Sequence, residues 1–99
     1  MIARVTWGKI KPGKWDEFER LWNGYASENA GSPGMRGRIL LRDQGNADAG
    51  YGVSFWDDSA AFETFRATMP APPAMQDCFV GQYVTTVTTV SGATLPGLT

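Results

Sequence analysis

Apolar and polar positions alternate along residues 2–10, IARVTWGKI. Ala3, Val5 and Trp7 fall on one side; Ile2, Arg4, Thr6 and Ile10 fall on the other. A period of two in a β-branched and aromatic stretch predicts a strand, and 11-KPG-13 breaks it. Over 14–29 the period changes. Trp15, Phe18, Trp22 and Tyr25 recur at helical spacing, and Leu21 and Ala26 widen the stripe. Asp16 and Glu17 sit in the first turn, where the helix dipole favours negative charge, and 31-GSPG-34 is the stop. Alternation then returns twice. In 35–43, MRGRILLRD, Arg36, Arg38, Leu40 and Arg42 alternate with Gly37, Ile39, Leu41 and Asp43. In 50–56, GYGVSFW, Tyr51, Val53 and Phe55 share one face, and Gly52, Ser54 and Trp56 the other. The short polar, glycine-rich segment between them predicts an antiparallel hairpin.

Asp57, Asp58 or Ser59 caps a second helix over roughly 59–69, where Phe62, Phe65 and Met69 recur at helical spacing and Pro70 follows. The proline-rich 70-PAPPAMQD-77 predicts a loop that is not helical throughout, a connector or a lid. Residues 78–90, CFVGQYVTTVTTV, predict a long last strand, and 91–99 a flexible tail. The element order is therefore βαββαβ within one domain spanning 1–90. That order is the ferredoxin-like α+β pattern, a four-stranded antiparallel sheet with both helices on one face. The strands nevertheless carry apolar residues on both faces. A second copy of the sheet would cover the face that the helices leave bare, so the pattern predicts a homodimer whose two sheets enclose a barrel-like interior.

Composition narrows the function classes. The chain has 99 residues and a net charge of −1, with no basic excess to neutralise phosphates, so no nucleic-acid or anionic-membrane partner is expected. No apolar run approaches the ~18 residues of a membrane span. The first residues show no basic-then-apolar leader. The single cysteine, Cys78, excludes an internal disulfide and a multi-cysteine metal site, and a cytoplasmic setting is expected. The absence of histidine is the sharpest constraint. It removes Ser-His-Asp and Cys-His catalysis and disfavours zinc, non-haem iron and His-ligated haem, so neither a metal nor a cofactor is expected.

Four stretches carry a family resemblance: the opening strand into 12-PGKWDEFERLW-22, the run 33-PGMRGRILLRD-43, the strand-to-helix joint 51-YGVSFWDDSAAF-62, and the long last strand. In this order they resemble the antibiotic-biosynthesis monooxygenase family of dimeric α+β barrel proteins. The resemblance implies several activities. Some members oxidise polycyclic phenols with O₂ and no cofactor, others degrade haem, and others are isomerases. In both oxygen-using branches a tryptophan ending the third strand lines the cavity, and Trp56 matches it. The haem branch pairs it with a first-strand asparagine and a histidine ligand. Here the first position is Thr6 and the chain has no histidine, so the resemblance points away from haem degradation. The quinone-forming branch has polar side chains near the positions of Gly52 and Phe62.

The resulting expectation is a cofactor-independent monooxygenase acting on a small or polycyclic aromatic phenol. The alternative is a non-enzymatic dimeric protein binding a planar apolar ligand. Trp56 and Arg38 are the candidate catalytic residues. Trp7, Tyr51, Tyr83 and Arg4 are the candidate substrate contacts, the aromatics as stacking surfaces and Arg4 or Arg38 as partner of a phenolate oxygen. Trp15, Phe18, Trp22 and Tyr25 read as core, and Cys78 as a small buried residue.

Overall fold

A computed structural model describes residues 1–96. Four strands, β1 (Ile2–Lys9), β2 (Met35–Arg42), β3 (Ala49–Trp56) and β4 (Val84–Thr89), form one antiparallel sheet in the order β2-β3-β1-β4. Helices α1 (Trp15–Glu28) and α2 (Ser59–Thr68) pack on one face, together with a single turn, α3 (Pro73–Gln76). This is the ferredoxin-like α+β arrangement.

The register decides which side chains meet the helices. Ile2, Arg4, Thr6 and Gly8 of β1 pair with Trp56, Ser54, Gly52 and Gly50 of β3, and Arg38 and Leu40 of β2 pair with the same Ser54 and Gly52. Side chains alternate along a strand, so these residues all face the helices. Ala3, Val5, Trp7, Ile39, Leu41, Tyr51, Val53 and Phe55 face the other way. A one-residue irregularity between Met35 and Gly37 sets Arg36 aside from the ladder. It lets Met35 pack beside Trp56 on the helix side while Arg36 pairs with Asp57 at the start of α2. Of the three possible caps of α2, Asp58 serves: its carboxylate accepts the Ala61 N–H at 2.9 Å.

One expectation changes. The last strand begins at Val84 rather than Cys78. Cys78 and Phe79 instead donate their backbone N–H groups to Met75 and Gln76, closing the turn after α3, and Gly81 turns the chain with φ 68°. Phe79 touches the sheet only through an isolated bridge to Ile10. The proline-rich loop contains one helical turn, because Pro73 at its first position needs no intrahelical donor. Residues 97–99 of the expected tail lie outside the described residues.

Candidate functional site

The core between sheet and helices is split in two. At one end Ile10, Trp15, Phe18, Met75 and Cys78 pack together. At the other, Trp56 packs against Phe62 and Phe65, with ring centroids 5.4 and 5.1 Å away. Between them the helix-facing side of the sheet carries small or polar residues: Thr6, Gly8, Gly50, Gly52 and Ser54. Two of these glycines are needed for close approach. A Cβ on Gly8 would lie 2.3 Å from Phe79, and one on Gly50 would lie 2.2 Å from the Leu41 carbonyl oxygen and 2.7 Å from the Trp15 ring. At Gly52 the nearest atom would be Trp22 Nε1, at an ordinary 3.6 Å, so a Cβ there would make an unstrained contact. The result is a cavity of about 480 Å³ between the sheet, α1, α2 and the segment carrying α3.

The walls are largely aromatic: Trp22 and Tyr25 from α1, Phe62 and Phe65 from α2, and Phe79 and Tyr83 from the approach to β4. Exposed Arg66, Met69, Gln76 and Tyr83 form the rim. Polar groups are few. Thr6 and Thr85 share a hydrogen bond of 2.9 Å on the floor. Two half-buried guanidiniums, Arg4 and Arg38, project inward, and the described lining contains no carboxylate. Arg4 lies over the Phe62 ring at 3.5 Å, and Arg38 lies 4.9 Å from the Phe65 centroid and 5.3 Å from that of Tyr25. Burial lowers both arginines from their ordinary pKa; Arg66 lowers Arg4 further, and Tyr25 partly restores Arg38. Burial raises the Tyr25 phenol, and Arg38 opposes that shift. The Tyr25 hydroxyl donates to the Met69 carbonyl at 2.5 Å. Arg38 Nε is buried without a hydrogen-bond partner. A desolvated cation with an unpaired donor is costly and is well suited to an anionic oxygen.

The structure brings some of the predicted residues together and separates others. Arg4, Arg38 and Tyr83 line the cavity. Tyr51 borders it, but strand alternation puts its side chain on the open face, so it presents backbone between Gly50 and Gly52. Trp7 lies on the open face, 36% exposed, opposite the cavity. Trp56 was expected in the wall. It is 0% exposed and stands behind Phe62 and Phe65, with its indole N–H donated to Ser54 Oγ at 2.9 Å. Its position is set by strand parity and by the two phenylalanines of α2, whose stripe covers it. Trp22 and Tyr25 read as core because their spacing is helical. The exposure of Trp22 to the cavity goes with Gly52 opposite it, and Gly50 and Gly52 at alternate positions of one strand were the available signal.

Comparison with known proteins bears on this geometry. A family model described as antibiotic biosynthesis monooxygenase matches residues 1–79. Among solved structures, the chain is similar to SnoaB, a cofactor-independent oxygenase from Streptomyces nogalater. Identity is 22%, coverage 96% of each chain and the TM-score 0.79. It is also similar to MhuD, a heme-degrader from Mycobacterium tuberculosis, at 20% identity, over 95% of this chain and 99% of that one, with TM-score 0.73. A protein from Methanosarcina mazei Go1 matches at 17% identity over 87% and 88%, with TM-score 0.79. No relative among the curated proteins matches the sequence. At these identities the structural likenesses establish the fold alone.

Proposed function

The chain belongs to the antibiotic biosynthesis monooxygenase family, and from that premise we propose that it oxidises a phenolic aromatic substrate with O₂ and without a cofactor. The observation that carries this reading is the pairing of aromatic walls with two partly desolvated guanidiniums, and no carboxylate in the described lining, in a cavity of about 480 Å³. Such a site holds a flat, ionised ring. An anthrone-type substrate loses a proton from its ring methylene to give a delocalised phenolate, and a nearby cation lowers the pH at which this happens. The anion passes one electron to O₂. The radical pair recombines to a hydroperoxide, which expels water and leaves a quinone carbonyl. The net change is one methylene and one O₂ giving one carbonyl and one water. The protein's part is to bind the ring between Trp22, Phe62, Phe79 and Tyr83, to exclude bulk water and to stabilise the anion through Arg38 and Arg4.

Haem is disfavoured by these residues. The chain has no histidine, the Tyr25 hydroxyl is held by Met69, and the Cys78 thiol donates to the Ala74 carbonyl. A second reading, sequestration of a planar anion without turnover, is favoured by one observation: the described lining offers no carboxylate to serve as general base. Oxygen uptake separates the two. Metal-stripped protein mixed with anthrone- and naphthol-type phenols is expected to consume O₂ and form quinone above a boiled control. Tight phenolate binding with no uptake would leave the sequestration reading.

The assembly we propose is a homodimer through the open face of the sheet. Trp7, Leu41, Tyr51 and Val84 are between 36% and 60% exposed there, an apolar patch that this chain does not itself cover.

A further inference from the structure

Ser54 sits in the middle of a row that crosses the helix-facing side of the sheet. Arg4 of β1 and Arg38 of β2 are its register partners on either side, and all three residues line the cavity. Opposed side chains on adjacent antiparallel strands have Cβ atoms about 5 Å apart, so the row places one hydroxyl between two cations. Trp56, two residues along the same strand, donates its indole N–H to Ser54 Oγ at 2.9 Å. An indole nitrogen donates only, so the serine oxygen must be the acceptor. The accepted bond occupies one lone pair and polarises the hydroxyl, strengthening it as a donor. Among the described residues no protein group accepts the Ser54 proton, and on the same row Arg38 Nε is a buried donor with no acceptor. Two donors that no protein group in the described lining occupies, in one row with no carboxylate beside them, suit an anionic oxygen.

We infer that Ser54 and Arg38 together hold the ionised ring oxygen of the substrate, and that Trp56 is a positioning residue that aims the Ser54 hydroxyl. The ligand class is a planar aromatic enolate or phenolate whose oxygen lies over the Arg4–Ser54–Arg38 row. The choice of substrate rests on the oxygenase reading above; the anion site itself needs no turnover. Trp56, fully buried behind Phe62 and Phe65, acts here through one hydrogen bond and touches no ligand.

The test is a spectrophotometric pH titration of a bound probe, 4-nitro-1-naphthol, whose phenolate absorbs apart from its phenol. The wild-type protein is expected to bind the phenolate more tightly than the phenol and to lower the probe's apparent pKa. Ser54→Ala is expected to weaken phenolate binding by roughly tenfold or more while changing phenol binding little, as befits the loss of one charge-assisted hydrogen bond. Ser54→Thr, which keeps the hydroxyl, is expected to restore it. Trp56→Phe keeps a ring in the core and removes the donor, so it is expected to fall between wild type and Ser54→Ala. Ser54→Ala titrating like wild type overturns the anion site. Trp56→Phe titrating like wild type, when Ser54→Ala does not, overturns the positioning role. Oxygen uptake is recorded on the same samples. Uptake with no Ser54 effect removes this inference and leaves the oxygenase reading; a Ser54 effect without uptake does the reverse.

Discussion

Arg38 shows at the scale of one residue how a cation with no carboxylate partner in the described lining becomes an instrument. Burial lowers its pKa, yet the guanidinium stays charged across ordinary pH, so it stands in the cavity as a fixed cation with a free Nε–H. Arg38→Met is therefore expected to reduce kcat by about 10²–10³, the usual loss for one oxyanion donor. Arg38→Lys keeps the charge and loses the fork, and should fall between. Both should move the midpoint of the pH–rate profile upward, because a weaker cation lowers the substrate pKa less; steady-state oxygen uptake against pH reads this directly. An unchanged midpoint in Arg38→Met would remove Arg38 from anion stabilisation. Two other residues govern alkaline stability. Burial raises the Cys78 thiol and the Tyr25 phenol. The unfolded chain loses these protons first, near pH 8.5 for the thiol and near pH 10 for the phenol. Their contribution is thus complete below those values and is lost as pH rises through the higher folded ones. Thermal melts should show Tm level up to about pH 8, then falling, more steeply above about pH 10. Cys78→Ala should remove the earlier part of the fall and Tyr25→Phe the later part.

At the scale of elements, period and punctuation were enough for the order βαββαβ, the antiparallel hairpin and the extent of α1, because the first three strands alternate, the last is β-branched, and the two long helices carry aromatic stripes. What stayed hidden depends on contacts between distant residues. The apolar 78-CFV-80 runs almost directly into the β-branched 84–90, and only the turn closed by Cys78 and Phe79 onto α3 sets them apart. The irregularity at Arg36 moves one residue out of phase, and its local mark is Gly37, a glycine inside a strand. The site was legible in Arg4, Arg38 and Tyr83, which stand at the right strand parity or on the last connection. Trp56 was placed on the correct face, but its depth was not legible, since depth depends on where Phe62 and Phe65 of α2 come to rest. The glycines of β3 give a direct check on how the sheet carries the cavity. Gly50→Ala must displace the Leu41 carbonyl or the Trp15 ring and is expected to cost about 1–3 kcal/mol in urea unfolding. Gly52→Ala meets only an ordinary contact and should be neutral or gain about 0.5–1 kcal/mol from reduced backbone entropy. Gly52→Leu should fill the cavity floor and abolish phenolate probe binding while the fold persists by circular dichroism. Unimpaired probe binding in Gly52→Leu would mean that the ligand does not use this floor.

The whole molecule is two-sided, and each side makes a separate demand. The helix side of the sheet is closed by aromatic packing around the cavity. The other side presents Val5, Trp7, Ile39, Leu41, Tyr51, Val53 and Phe55 to no helix of its own. Four strands of about eight residues give a face of roughly 19 by 26 Å, or about 500 Å² in projection. Side-chain relief and the β4 edge bring this towards the ~800 Å² per partner of a standard interface. A dimer through this face is therefore expected, with a mass in sedimentation equilibrium of twice the 10.8 kDa chain. Tyr51→Glu combined with Leu41→Lys places charge on both of two paired strands, and desolvating those charges should outweigh the apolar gain, yielding monomer. Because both side chains point away from the cavity, the same variant separates assembly from binding. If the monomer still binds the phenolate probe, the cavity is complete within one chain. If binding is lost while circular dichroism is retained, the second sheet is what holds the floor of β1 and β3 in the shape that Arg4, Ser54 and Arg38 require. A wild-type chain that sediments at 10.8 kDa at every concentration tested would instead leave the open face without the partner proposed for it.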